Sequence, residues 1–477
     1  MTPPAIDLRS IIPELVIAAT AMATMVGGLF LPAGRQHPLR WLAALGTVVA
    51  LGTTLAAGSS SSPAFAGMYV RDTLTRVLQA TALVAVLLAQ WLSGDYVERM
   101  RLDIGEYHAL VLVAALGAML MAASSDLIML FLGLETLSIP LYVLAAFART
   151  DPRSQEAGLK YFLLGAFGTA FFLYGIALLF GATGSTGFQA LAEQAHAPKT
   201  FFRAGVALLT IGLAFKAAVV PFHFWAPDVY EGAPLPTTAY MSVIAKVGAF
   251  AAFVRVYMVA LAALAAQWST ALAAISVLTM IVGNVAALRQ TSIKRLLAYS
   301  SIAHAGFILT GVVAGSPAGA SAVAFYLLAY TFMTLGAFGV VLMLHRRGEE
   351  ADRIADLTGL AWRAPALGGA MTLFMVSLAG LPPTAGFLAK FYVFTAALDA
   401  GQTGVAVFGV LTSVVSAYYY LRVAYTMFTG QPSEDVGFAG GRWVTAALVA
   451  ASAGVLVLGI FPSRVTAFVQ QVGQVLR

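Results

Sequence analysis

Runs of about twenty apolar residues recur along the whole chain, and each is long enough to cross roughly 30 Å of hydrocarbon as a helix. They fall at 11–31, 41–57, 73–94, 107–123, 127–147, 159–181, 203–220, 236–258, 268–288, 293–314, 319–344, 366–398 with a break, 403–428 and 443–461, fourteen in all. A water-soluble chain could not hide the apolar surface of a sequence that is 60% hydrophobic and only 10% charged over 477 residues. The short alternating segments of a membrane β-barrel are absent. The expected fold is an all-α polytopic membrane protein of about 14 transmembrane helices. The first run contains Glu14, follows only Arg9 and continues without a small-residue cleavage site, so it is expected to be a retained anchor.

Two of the runs are interrupted by proline: one ends at Pro221, and Leu381-Pro382-Pro383 splits 366–398. Five spans separate these breaks. The same offset aligns Phe162-Leu163-Leu164 with Tyr326-Leu327-Leu328 and then Gly175 with Gly339. An odd offset inverts the second copy across the membrane. The chain is therefore expected to hold two inverted five-helix repeats, each with a broken helix, which is the pattern of an ion translocator. Residues 1–106 form an N-terminal three-helix segment, 107–258 the first repeat (spans four to eight), 259–428 the second (spans nine to thirteen) and 429–477 a C-terminal span. Arginines such as Arg35, Arg99, Arg149, Arg289, Arg346 and Arg363 concentrate in loops after odd-numbered spans. Because cytoplasmic loops retain positive charge, those loops are expected inside and both termini outside.

Lysine usage is the sharpest chemical signal. Of 27 lysines and arginines only six are lysine, and four of these, Lys160, Lys216, Lys246 and Lys390, fall within apolar runs. Arginine stays charged almost anywhere, whereas a desolvated lysine can give up its proton. An ammonium at bilayer depth costs at least a few kcal/mol, so such a residue is a functional candidate by default. Among the carboxylates only Glu14 and Glu135 lie well inside spans. Glu135 sits about two turns into its helix, roughly 12 Å along it, at a depth comparable to Lys216. That makes it the natural counter-charge, in a pair that can hold a proton and release it as the carboxylate withdraws.

Each candidate has a plainer structural reading. Glu135 and Lys216 could be a static packing pair, although a fixed pair does not need a helix break beside it. Lys246 lies about 15 Å past Pro236, near mid-membrane, too deep to snorkel. Lys390, beyond the second break, could be an interfacial anchor. Lys160 opens its span and serves equally as anchor or relay, and Lys294 beside Arg295 fits the positive-inside pattern. His223 and His304 are packing histidines or relays between lysines. Glu14 reads as a solvated helix end, and Asp126 as an N-cap.

With no cysteine in the sequence, disulfides, thiolate zinc sites and iron–sulfur ligation are excluded within the chain. No Walker loop, dinucleotide fingerprint or HExxH string is present, and no basic–aromatic cluster suggests nucleic acid.

The strings PFHFWAPDVYEGAPLPTTAYMSVIAK, SIKRLLAYSSIAHAGFIL and GLPPTAGFLAKFYVF resemble those of the antiporter-like membrane subunits of respiratory complex I, the proton-translocating NADH-quinone oxidoreductase. The resemblance runs through all fourteen spans. Within the family one branch is favoured by the DVYEGAP loop, the lysine at 390 and the lack of a long lateral helix after the last span. The resemblance implies that Glu135 and Lys216 are the charge pair, Lys246 the central lysine and Lys390 the lysine of the second broken helix, with His223 and His304 near the axis between half-channels. It also implies a bacterial cytoplasmic membrane, other membrane-arm subunits as partners, and FMN, iron–sulfur clusters and quinone handled by those other subunits. One departure is internal: the first repeat carries its lysine before the break, the second after it. A cation/proton antiporter or membrane-bound hydrogenase subunit would share this fold and charge row. A non-conducting scaffold with static ion pairs is a third reading.

Overall fold

A computed structural model describes residues 8–476 apart from 33–34, 57, 59, 101, 103, 196–198, 347–348, 432–434 and 439. The chain ends, whose side of the membrane was expected from loop charge, lie outside the described residues. An N-terminal bundle comprises α1 (Ile12–Phe30), α2 (His37–Ala56) and α3 (Thr73–Arg99), with the antiparallel ribbon β1 (Ser60–Ala64) and β2 (Tyr69–Arg71) before α3. There follow α4 (Gly105–Ala123), α5 (Leu127–Ala145), α6 (Pro152–Thr183), the short α7 (Phe188–Gln194), α8 (Thr200–Ala217), α9 (Trp225–Gly232) and α10 (Leu235–Phe253). The second half holds α11 (Ala265–Leu288), α12 (Ile293–Val313), α13 (Pro317–Leu342), the single turn α14 (Leu360–Arg363), α15 (Pro365–Ala379), α16 (Ala385–Asp399), α17 (Thr403–Phe428), α18 (Arg442–Ile460) and α19 (Ser463–Gln470). A small sheet of β3 (Leu344–Arg346), β4 (Glu349–Glu350) and β5 (Val436–Phe438) closes one end. The apolar pattern did not announce these strands, which are too short to carry a period of their own.

Thirteen helices among the described residues are long and apolar enough to cross a membrane. α15 and α16 have 15 residues each, about 22 Å of helix, and neither spans alone. Helix starts follow local chemistry. The side chains of Asp126 and Ser292 accept backbone N–H groups of α5 and α12, and α6 and α13 place proline in their first turn, where its missing N–H costs nothing.

The two expected breaks are present and differ in construction. α8 stops at Ala217 because Ala218 turns left-handed at φ 57°, and the chain winds through 218–224 before α9. α15 stops at Gly380, φ 85°, and Pro382 and Pro383 supply no N–H to continue it.

α10, α12 and α13 are almost wholly buried and form the centre. α6 and α17 carry large exposed apolar side chains, among them Phe167, Tyr174, Val414 and Tyr425, a surface suited to hydrocarbon or a neighbouring subunit. The loops after α3, α11, α13 and α17 meet at one end of the molecule. Tyr96 reaches Glu350 there, Ser292 pairs with Arg353, and β3 pairs with β5.

Glu14 is not the solvated helix end expected from sequence. It is buried, and its Oε1 accepts from the Tyr69 hydroxyl at 2.7 Å and the Gln79 amide at 2.5 Å. The ribbon folds Tyr69 back over the start of α1, a contact 55 residues apart that periodicity cannot reveal.

A second buried contact ties the N-terminal bundle to the centre. α10 runs on into a π-helical turn, Val254–Ala260, and Arg255 there donates to Asp72 at 2.5 and 2.7 Å, to Thr75 Oγ1 at 2.7 Å and to the Ala122 carbonyl at 2.9 Å. Burial works against the Asp72 carboxylate, but the Arg255 guanidinium and the hydrogen bonds from Thr75 together outweigh it and hold the group below its usual value. Arg255→Met strands a buried charge and is expected to cost about 3–5 kcal/mol. It should lower the thermal unfolding midpoint in detergent, with the Asp72→Asn/Arg255→Met double variant recovering much of the loss.

Candidate functional site

Lys216 occupies the last turn of α8, immediately before the first break, and is buried. Its Nζ donates to the Tyr161 hydroxyl at 3.3 Å and lies 5.5 and 5.3 Å from the ring centres of Tyr142 and Tyr161. The break makes this pocket. After it the chain returns with Trp225, which stacks on Tyr161 at 4.4 Å and donates to the Phe215 carbonyl at 3.1 Å.

Glu135 is only half-buried, on α5, and accepts from Thr169 at 2.8 Å. No ion pair within 4 Å joins it to Lys216 among the described residues. A cavity of about 10 Å³, close to the least space a water needs, is lined by Lys216 and by Thr169, the residue that donates to Glu135. Gly165, Gly168 and Gly212 line it, and a Cβ on Gly212 would come within 2.5 Å of Phe172.

Lys246 lies in the middle of α10, buried, and donates to Ser301 Oγ at 2.5 Å with the Tyr330 ring 5.8 Å away. His304, one turn beyond Ser301 on α12, is buried between the hydroxyls of Tyr326 at 2.7 Å and Tyr420 at 3.1 Å, and Tyr420 also bonds Ser300. Lys390 lies one turn into α16 and reaches back to the Ala379 carbonyl at 2.8 Å, over the Phe307 ring at 4.7 Å. That carbonyl is one of the acceptors left over at the end of α15, where the helix dipole favours a cation. α12 thus presents Ser301, His304 and Phe307 in succession along the space between Lys246 and Lys390.

The remaining sequence candidates lie at the arginine-rich end. Lys160 is part-exposed and pairs with Glu156 at 2.7 Å and Asp228 at 3.2 Å. Lys294 is buried and donates to Glu350 at 2.8 Å and to the Ala233 carbonyl at 3.2 Å. Arg295 binds Asp228 and Glu231, the two carboxylates of the DVYEGAP segment, at 2.9 and 2.7 Å. Burial pushes the Asp228 carboxyl up, but Arg295 and Lys160 together hold it below its ordinary value. His223 is half-buried in the unwound turn between α8 and α9 and bonds to none of the lysines.

Sequence reasoning missed the hydroxyl-bearing partners. Tyr161, Tyr330 and Ser301 contact the buried lysines and Tyr326 and Tyr420 contact His304, and only spacing hinted at them: Tyr326 and Tyr330 are four residues apart on one face of α13. Glu350 was hidden in the most charged loop of the chain.

The family model described as NADH:quinone oxidoreductase/Mrp antiporter, TM, matches residues 124–416. The NADH-quinone oxidoreductase subunit N of Trichlorobacter lovleyi is 44% identical over 476 residues, covering 99% of this chain and 98% of its own. A chain of respiratory complex I from Thermus thermophilus superposes with TM-score 0.83 at 40% identity, covering 96% of this chain and 99% of that one. A chain of the Mrp complex from Dietzia reaches TM-score 0.84 at 22% identity over 99% of this chain and 98% of its own, a likeness of fold.

Gly380 is the sensitive backbone position beside Lys390. A Cβ there would meet the lysine's Cδ at 2.8 Å, and φ is 85°. Gly380→Ala is expected to cost about 1–2 kcal/mol from the left-handed backbone alone and to displace Lys390 from Ala379. Gly369→Ala, with open space around it, should leave the unfolding midpoint unchanged or slightly raised.

Proposed function

Because the chain belongs to the NADH-quinone oxidoreductase subunit N family of antiporter-like complex I membrane subunits, we propose that its buried lysines carry protons through the membrane arm. Subunit N is the branch that the DVYEGAP loop and Lys390 favoured, and membership makes the chain a multi-pass membrane component of this translocase, assembled with other subunits. Protons reach the Glu135–Lys216 pair, cross by Lys246 and the His304 hydroxyl cluster, and leave by way of Lys390; His223, Lys160 and Lys294 are secondary relays.

One observation carries this reading. Lys216, Lys246 and Lys390 are all buried, yet among the described residues each bonds only to a neutral hydroxyl or carbonyl. A permanent ammonium so placed is costly, so a group whose proton comes and goes fits the site better than a fixed charge. The same point weighs against a static scaffold, which would pair each cation with a carboxylate. FMN, iron–sulfur clusters and the quinone headgroup belong to other subunits in this reading.

The helix neighbours support two inverted repeats over 107–258 and 259–428, with the fourteenth crossing made by α15 and α16 together. The packing of α4 on α5, α5 on α6, α6 on α8 and α9, and α4 on α10 recurs as α11 on α12, α12 on α13, α13 on α15 and α16, and α11 on α17. The gathering of arginine-bearing loops at one end supports a cytoplasmic placement for that end and outer placement of both termini. Lys216→Ala and Lys390→Ala, with assembly confirmed, are expected to lower quinone-coupled proton pumping in membrane vesicles about tenfold or more. Full coupled activity in both would sink the lysine assignment.

A further inference from the structure

Two adjoining cavities of 490 and 670 Å³ open at the arginine-rich end and share Arg153, Glu231, Gly232 and Asp352. Both are far larger than the roughly 10–15 Å³ a single water needs, and their walls are charged. In the larger one, Lys160 pairs with Asp228, and Arg295 holds both Asp228 and Glu231. The inner wall of the smaller one is different. There Lys294, Glu350 and Tyr96 meet: the lysine side chain is 3% exposed, the carboxylate 29%.

Lys294 does not behave as a topology lysine. A snorkelling side chain keeps its ammonium in water, whereas this one is buried and bonds the Ala233 carbonyl just ahead of α10. Glu350 is held from three sides, by Lys294 at 2.8 Å, the Tyr96 hydroxyl at 2.6 Å and the Leu235 N–H at 3.3 Å. Burial raises the Glu350 carboxyl, and Lys294, Tyr96 and the Leu235 N–H together more than offset it, so the group sits below its usual value. Seven residues along α12, two turns and roughly 10 Å deeper on the same face, Ser301 holds Lys246.

We propose that Glu350 and Lys294, with Tyr96 positioning the carboxylate, form a second gate, which loads protons from this vestibule onto Lys246 and joins there the route from the Glu135–Lys216 pair. The inference rests on the reading that Lys246 lies on the proton route. A hydrated proton from the vestibule protonates Glu350, and the ion pair loses its negative member. Lys294 then passes its own proton inward toward Ser301 and Lys246 and takes up the proton on Glu350. One proton has moved, and both gate residues return to their starting charges. The N-terminal bundle thereby contributes a residue, Tyr96, to the pumping half of the molecule.

The test uses the assembled complex in native membrane vesicles, with complex content measured alongside quinone-coupled proton pumping. Lys294→Arg keeps the pair and its charge but does not release a proton. It is expected to lower pumping about tenfold at normal assembly, a modest share of the ~10²–10⁴ that a positioned proton-transfer group contributes. Glu350→Asp, which keeps the carboxylate, should retain most of the activity, and Glu350→Gln should fall as Lys294→Arg does. If Glu350→Gln does not assemble, Lys294→Arg against Glu350→Asp decides, because a merely structural pair is preserved by both. Full pumping in Lys294→Arg alongside loss in Lys246→Ala overturns the gate alone. Full pumping in both overturns the route beneath it as well.

Discussion

A cation in hydrocarbon must find an acceptor, and three buried lysines of this protein meet that demand with hydroxyls and a carbonyl. Tyr161 serves Lys216, Ser301 serves Lys246, and a carbonyl freed by a helix break serves Lys390. The breaks are therefore part of the electrostatics. In the first, the returning Trp225 walls the lysine pocket. In the second, the interrupted helix leaves an unpaired carbonyl facing the charge, a role no continuous helix could fill.

The arrangement converges on α12. From its first turn inward it carries Lys294 against Glu350, Ser301 against Lys246, His304 between two tyrosines and Phe307 beneath Lys390. Its almost complete burial keeps these positions in register, because neighbours on all sides fix its rotation. The carboxylates of the complete ion pairs lie off this helix: Asp72 with Arg255 joins the N-terminal bundle to the centre, and Asp228 and Glu231 fasten the short helix α9. Full charge compensation goes with the cations that flank the row, Arg255, Arg295 and Lys294, and neutral acceptors go with its three central lysines.

The spans were legible because twenty apolar residues have few other uses, and the breaks because proline and glycine act locally. Lys216, Lys246 and Lys390 stood out because lysine is scarce in the chain. What stayed hidden depended on distance along the sequence. Asp72 and Arg255 are 183 residues apart, and Tyr96 and Glu350 are 254 apart. Glu14 read as exposed because nothing nearby in sequence foretold Tyr69 folding over it. The tyrosines were invisible for another reason: in a chain with 17 of them, an aromatic at helical spacing reads as core, and only its contacts show that the hydroxyl is used. Glu135 shows the limit from the other side, since depth along a helix could not foretell that its carboxylate would bond Thr169 and not Lys216.

The carbonyl that receives Lys390 has an electrical consequence. An ammonium beside a carboxylate is half of a local dipole, and the field across a membrane acts on it weakly. An ammonium beside a neutral carbonyl remains a net charge. Carrying one elementary charge across the whole bilayer is worth about 2.3 kcal/mol per 100 mV, and a step between neighbouring lysines takes a fraction of that. If the three lysines take up and release protons as proposed, neutral acceptors at all three positions tie the occupancy of the row to the voltage of the membrane in which it sits.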